Sequence, residues 1–286
     1  MDAKPLEAGL ETRTPGYRAA VGVAEELGLT LDGPLLIQET NNTVVWLRPY
    51  PIMAKVGIHS YSADTLVREH EVASALAETE APVARPFPGI APVRHSETGF
   101  IVTLWNRLDH DPDAEADGPA AGRSLAKIHE ALEHCDVALP SFRSGLEHAR
   151  GALFDDLSVA AADPDDREFL RAAFTDLFGQ VDDHTFAAQA LHGEPHANNY
   201  LVTARGIRWI DFEGACRGPL EWDLAFLPSD GVDVFQDVDP DLLALLQTLN
   251  SARVVTWCWV QDRFPEMRHY GEHHLAAVRK RWPNPV

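Results

Sequence analysis

The sequence predicts an α+β chain of two lobes, a small antiparallel sheet followed by a larger, mainly helical part. Three observations carry that expectation. Short β-like runs fill the first hundred residues, helical spacing of apolar residues dominates the rest, and the composition changes at Asn106. Among 286 residues, 45% are hydrophobic and 24% charged, which suits an ordered globule with a full core.

Thr14 as N-cap and Pro15 at the first helical position open a helix that runs to Gly28. Strands are expected at 35–38, 43–47 and 52–56, with Asn41-Asn42 and Pro49-Tyr50-Pro51 as turns. Residues 62–77 place Leu66, Val67, Val72, Ala73, Leu76 and Ala77 at helical spacing, and strands at 91–95 and 100–105 complete a five-stranded sheet with one helix laid on it. The stretch 109–117 holds five acids and reads as a solvated loop. Helices are expected around 121–134, 165–180, 239–253 and 265–281, interrupted by a β-containing stretch at 190–210. The lobes are taken as 1–105 and 106–286.

The net charge is −20, from 44 acids against 24 Lys and Arg. Such a surface argues against nucleic acid or an anionic membrane as partner, because phosphate contacts need Lys and Arg. The excess is −5 over residues 1–106 and −15 over 107–286. Cys135, Cys216 and Cys258 are odd in number and form no CxxC, so neither a disulfide framework nor a cysteine zinc site is expected; a reducing, cytoplasmic setting is. The polar start carries no signal-peptide pattern, and no apolar run approaches the roughly 20 residues of a membrane span.

The chemistry concentrates in Leu191-His192-Gly193-Glu194-Pro195-His196-Ala197-Asn198-Asn199-Tyr200, followed by Ile210-Asp211-Phe212-Glu213. An acid at 194 and an amide five residues later have the spacing of a kinase catalytic loop, where the acid takes the substrate's hydroxyl proton. Between Asn199 and Asp211 lies an expected hairpin, 200–203 with 207–210, turned at Ala204-Arg205-Gly206. Its return lets Asn199 and Asp211 converge on one ion, and two hard oxygen ligands plus phosphate suit magnesium.

At these residues the sequence resembles the aminoglycoside phosphotransferase and choline kinase-like family, whose hallmark reads H-G-D-x-H-x-x-N and then I-D-F/W-E/D. Gly218-Pro219-Leu220-Glu221-Trp222-Asp223-Leu224-Ala225 is similar to the family's G-P-x-x-x-D-L-A, and Leu125-Ala126-Lys127-Ile128-His129 to its L-x-x-L-H. The resemblance implies a bilobal protein-kinase-like fold and phosphorylation of a hydroxyl on a small molecule, using ATP or GTP and Mg²⁺. It implies Lys55 on the nucleotide phosphates with Glu69 as its partner, and Glu71 as the less suitable alternative. Asn42 and Thr43 would lie in the turn covering the phosphates, and Trp105 and Asn106 at the hinge that meets adenine. Glu194 would be the base, Asn199 and Asp211 the metal ligands, and His192 and Asp223 braces of the loop, Asp223 also capping its helix. His196 is read as brace or phosphate contact, and Glu213 as metal assistant or hydrogen-bond partner.

Glu194 departs from the family's usual Asp. One methylene moves the carboxylate by about 1–1.5 Å, and misplacement on that scale can cost about 10²-fold in rate. An active base is the preferred reading; the alternative is a catalytically silent binding protein. A zinc reading of His192-x-Glu194-x-His196 fails on Pro195, which breaks the helix that such a site needs. An acidic second lobe favours a positively charged acceptor such as an aminoglycoside or amino sugar, with a sugar or choline-like alcohol as the rival. Trp257 and Trp259 are read as packing between helices, the Asp-rich run from Asp230 to Asp241 as solvated loop, and the assembly as monomer or homodimer.

Overall fold

Thr14 caps helix α1 (Pro15–Glu26), its hydroxyl accepting from Tyr17 N at 3.3 Å, with Pro15 supplying the preset first turn. This is the first element in a computed structural model that describes residues 14–59, 62–261 and 265–282. Strands β1 (Leu35–Glu39), β2 (Asn42–Trp46), β3 (Ile52–Gly57), β4 (Val93–Arg94) and β5 (Ile101–Asn106) form one antiparallel sheet in the order β1-β2-β3-β5-β4. β4 is only two residues long, shorter than the run at 91–95 suggests.

Strand alternation decides which side chain faces which helix. Ile52, Ala54 and Val56 of β3 are buried with Val45, Val102, Leu104 and the α1 residues Tyr17, Ala19, Ala20, Val23 and Ala24. Lys55 therefore points to the opposite face, where helix α2 (Ser62–Ala77) brings Leu66, Glu69, Val72 and Leu76 in buried positions. The sheet thus carries α1 as well as α2, one helix more than expected, because the small residues of α1 make a face that only close packing can bury. Gly16 makes that fit explicit: a Cβ there would lie 2.0 Å from Thr43 Oγ1 and 2.7 Å from Thr43 Cβ.

Two compact units emerge. One takes the chain up to Ala138 together with Glu194–Ala215; the other takes Leu139–Gly193 and the chain from Cys216 onward. The first holds the sheet, α3 (Gly118–Leu132) and the hairpin of β7 (Tyr200–Thr203) and β8 (Gly206–Trp209). Asp117 caps α3, its carboxylate accepting from Ala120 N, so this helix starts three residues ahead of the expected position. Trp209 is fully buried; its backbone pairs with Pro82 O and Ala84 N, and its indole N–H reaches Ser124 Oγ of α3 at 3.1 Å.

The second unit is built on α4 (Phe142–Phe154), α5 (Pro164–Asp183), α8 (Pro240–Val260) and α9 (Pro265–Arg281), around buried Leu146, Phe174, Leu177, Leu246 and Leu249. β6 (Gln189–Leu191) pairs with β9 (Cys216–Gly218), and two short helices, α6 (Leu220–Leu224) and α7 (Ser229–Val232), follow. α7 overlaps the start of the Asp-rich run, and Asp239 is no loop residue but the cap of α8. Trp259 packs against the core as expected, but Trp257 is 38% exposed, because successive positions on α8 turn away from one another by about 100° per residue. No helix among the described residues is long and apolar enough to cross a membrane.

Replacing Gly16 by Ala should lower the unfolding free energy by about 1–3 kcal/mol, the usual cost of overpacking a tight contact. Urea denaturation reads this directly, and a change inside about 0.5 kcal/mol would mean that α1 does not rest on Thr43.

Candidate active site

Lys55 is the centre of the site. Its Nζ lies 2.8 and 3.0 Å from the two carboxylate oxygens of Glu69, 3.0 Å from Asp211 Oδ1 and 2.6 Å from Glu213 Oε1. Glu69 reaches it because α2 crosses the Lys55 face of the sheet; Glu71 points to solvent. Burial disfavours the ammonium, yet Asp211, Glu69 and Glu213 together outweigh that and hold Lys55 well above its ordinary pKa. Burial pushes Glu69 up to about 8, with Lys55 opposing and the other two carboxylates adding to the rise. Glu213 is likewise raised, mainly by burial.

Three carboxylates share one ammonium, so the cluster is short of positive charge. Oxygens of Glu69, Asp211 and Glu213 lie within 4.8 Å of one another, the one group of three such side chains among the described residues. That hard-oxygen, net-negative set fits a divalent cation. The zinc reading of the histidine-containing segment gains nothing here, since this cluster contains no histidine.

Asp211 lies two residues beyond β8 in left-handed backbone, φ 65° and ψ 61°. A non-glycine residue there costs about 1–2 kcal/mol, a strain that concentrates at functional positions. Asn199 lies one rung away, its carbonyl accepting from Ile210 N at 2.9 Å. Its Nδ2 donates to Glu194 O at 2.9 Å, which commits the nitrogen and leaves Oδ1 as the ligand-type atom. The same bond explains the spacing between positions 194 and 199: the amide closes the loop on the carbonyl of the acid. His196 N also donates to Glu194 O, and a 3₁₀ turn over Ala197–Asn199 completes the bend. Glu194 itself is half-buried, beside a buried Pro195.

In the second unit, Asp223 is fully buried and accepts from His192 N at 2.9 Å and Gly193 N at 2.8 Å. Gly193 has φ 94°, a conformation that a side chain would oppose, which is why glycine stands between His192 and Glu194. Asp223 lies within α6 rather than at its cap, where Pro219 stands, so the expected capping role gives way to two loop bonds. His192 is fully buried.

Two expectations change on inspection of the strand register. Thr43 is in β2, not in a turn, and pairs with Val56, so its side chain faces α1 and lies buried against Gly16 on the face away from Lys55. Asn42, one residue earlier, falls on the Lys55 face and donates to Glu213 Oε1 at 2.6 Å. Trp105 stays on the Lys55 face, its indole N–H on Thr103 Oγ1 at 2.9 Å, and its ring meets His70 edge-on. The neighbouring backbone is already engaged: Asn106 N donates to Arg85 O and Arg107 N to Pro51 O. The reading of single residues missed Thr65 and Arg68, which join Glu213 through Oε2 at 3.5 Å and the backbone carbonyl at 2.9 Å. Their spacing with Glu69 and Val72 on one helical face was the available signal.

Lys55 stands on the five-stranded antiparallel sheet, Glu69 on the helix over it, and Asp211 and Glu213 just after the hairpin; with the family match over these elements, this is a kinase-like phosphotransferase with a hydroxyl acceptor. The chain belongs to the phosphotransferase enzyme family, which it matches over residues 41–270. It is 24% identical over 259 residues to stress response kinase A of Escherichia coli K12, covering 79% of this chain and 70% of that protein. Among solved structures, it resembles amicoumacin kinase in complex with AMP-PNP, Ca²⁺ and amicoumacin, with TM-score 0.70, 11% identity and 97% of each chain covered. It also resembles the GDP complex of aminoglycoside 2′-phosphotransferase-IIIa, with TM-score 0.68, 12% identity and 93% and 99% of the two chains covered.

Because Glu69 ionises later in the folded chain than in the unfolded one, its stabilisation is full below about pH 4.5 and is lost as pH rises through about 8. The unfolding free energy of wild type relative to Glu69→Gln should therefore fall between pH 5 and 8; a flat difference would place an ordinary carboxylate there. Asp223→Ala, which leaves two buried N–H groups without an acceptor, should cost about 3 kcal/mol in urea unfolding, and Asp223→Asn less.

Proposed function

We propose that the protein transfers a phosphoryl group from ATP or GTP to a hydroxyl of a small molecule, with an aminoglycoside or amino sugar as the preferred acceptor. The observation that carries this reading is Lys55 held among Glu69, Asp211 and Glu213 beside an Asn199 that is bonded to the strand leading into Asp211. In it, residues 1–105 hold the nucleotide, and 106–286 carry the catalytic and acceptor-binding groups. Lys55 pairs with the nucleotide phosphates, oriented by Glu69. Asn199 and Asp211 would hold Mg²⁺, which when bound screens phosphate charge. Glu194 orients the acceptor hydroxyl and takes its proton, and Asp223 steadies the loop through His192 and Gly193. His196 is a brace of that loop. Trp105, on the face shared with Lys55, is the residue for adenine or guanine.

Nucleotides in both solved relatives named above support a nucleotide donor, and Ca²⁺ in one of them supports a divalent cation. Their acceptors differ, so the choice of an amino sugar rests on the −15 excess over residues 107–286, which suits a cation. The rival acceptor is a sugar or choline-like alcohol. The rival reading outside catalysis is a silent binding protein, favoured by Glu rather than Asp at 194. Three free cysteines accord with a cytoplasmic setting, and the assembly is read as a monomer or homodimer.

Nucleoside diphosphate release, measured with Mg·ATP and Mg·GTP against aminoglycosides, sugars and amino alcohols, tests the reading. Turnover should appear with at least one cationic polyol, and Glu194→Ala should lower kcat by about 10²–10⁴-fold with nucleotide affinity unchanged. Binding without turnover for every acceptor would leave the silent protein as the better account. A sharp gain in Glu194→Asp would mark the natural residue as a weakened base.

A further inference from the structure

Glu213 joins β2, β3 and α2. Its Oε1 accepts from Asn42 Nδ2 at 2.6 Å and lies 2.6 Å from Lys55 Nζ. Oε2 takes Thr65 Oγ1 at 3.5 Å, and its backbone carbonyl takes Arg68 at 2.9 Å. One side chain therefore ties the start of β2 and the middle of β3 to α2. The residue that makes the β2 end of this tie is Asn42, which stands opposite Gly57 of β3 and hence on the Lys55 face.

Asn42 has a second property that its structural bond does not explain. The residue is only 7% exposed, and its Oδ1 is buried without a hydrogen-bond partner. The amide cannot be turned to relieve this, because Nδ2 must face the Glu213 carboxylate. Buried acceptors are normally satisfied, and one left open beside a net-negative, cation-fitting cluster calls for a donor brought in by a ligand. A hydrated divalent cation brings such donors, since magnesium keeps several of its waters when it binds a nucleotide.

We propose that Asn42 and Glu213 act as a positioning pair for the cation-bound nucleotide. Nδ2 holds Glu213 against Lys55, and Oδ1 accepts from a water carried by the cation. This rests on the phosphotransferase reading, and it assigns to Asn42 a part in nucleotide affinity rather than in the proton transfer at Glu194. Thr43, the neighbour on the other face of the strand, has no such part.

The test is binding of AMP-PNP and its guanosine counterpart to the full chain, by calorimetry, in Mg²⁺ and in EDTA. Asn42→Ala should weaken binding in Mg²⁺ by about tenfold, the worth of one hydrogen bond to a charged group, and change it less than about twofold in EDTA. Combined with Glu213→Gln, the losses in Mg²⁺ should fall short of multiplying, because the two residues work as one unit. In turnover the effect should appear in the nucleotide KM, with kcat within about twofold. A thermal melt reports folding, and if Asn42→Ala does not fold, Asn42→Leu, close in size but without either polar atom, should show the same metal-dependent loss. Equal losses with and without Mg²⁺, losses that multiply in the double variant, or wild-type affinity in both Asn42 variants each overturn the pair while leaving the phosphotransferase reading intact. A wild-type chain that binds neither nucleotide in either condition overturns that reading, and the pair with it.

Discussion

A single buried ammonium facing three carboxylates is the constraint on which the first unit depends. Lys55 cannot sit in a sheet interior alone, because removing an unpaired charge from water costs more than a strand can recover. Glu69 supplies the partner from α2, and Asp211 and Glu213 supply two more from the segment after the hairpin. Strand, helix and hairpin are thereby held to one point by charge as well as by apolar contact. The apolar face of the same strand is spent on α1, so the alternation of β3 divides packing from chemistry residue by residue.

The excess of acid over base in that cluster is what makes it a candidate site rather than a structural pair. A balanced pair would be satisfied by itself; three acids against one base hold protons or attract a cation. Left-handed backbone at Asp211 and the amide of Asn199 tied to Glu194 O show the same departure from rest. In the second unit the comparable device is Asp223, which spends both oxygens on the backbone of His192 and Gly193. Glu69 and Asp223 are buried and Asp211 and Glu213 partly so, whereas the acids of 109–117 are all exposed.

Much of this was legible in the residues. The five strands, the helix carrying Glu69, the hairpin and the loop from His192 to Asn199 could be placed because turn residues and periodicity agree there. Helix α4 escaped notice although Phe142, Leu146, Ala149 and Leu153 are spaced for one face; Gly145 and Gly151 weaken its local preference, and packing on α5 and α8 restores it. α8 runs past Arg253 through Val254, Val255, Thr256 and Trp257, residues that favour strands locally, because burial in the helical core overrides propensity. β6 and β9 are three residues each, too short for any period to register.

By itself, the sequence determined the order of elements, the identity of the charged groups and the spacing of the catalytic-type loop, since each is written in neighbouring residues. Tertiary structure alone decided which face each strand residue serves, and so put Asn42 on the Lys55 face and Thr43 against α1. It also decided that Glu213 is a junction and that Asp223, beside bracing the loop, does not cap its helix. Those outcomes depend on register and on partners as many as 171 positions away, as for Asn42 and Glu213. No local pattern carries that information, because a one-residue shift in pairing exchanges the two faces of a strand.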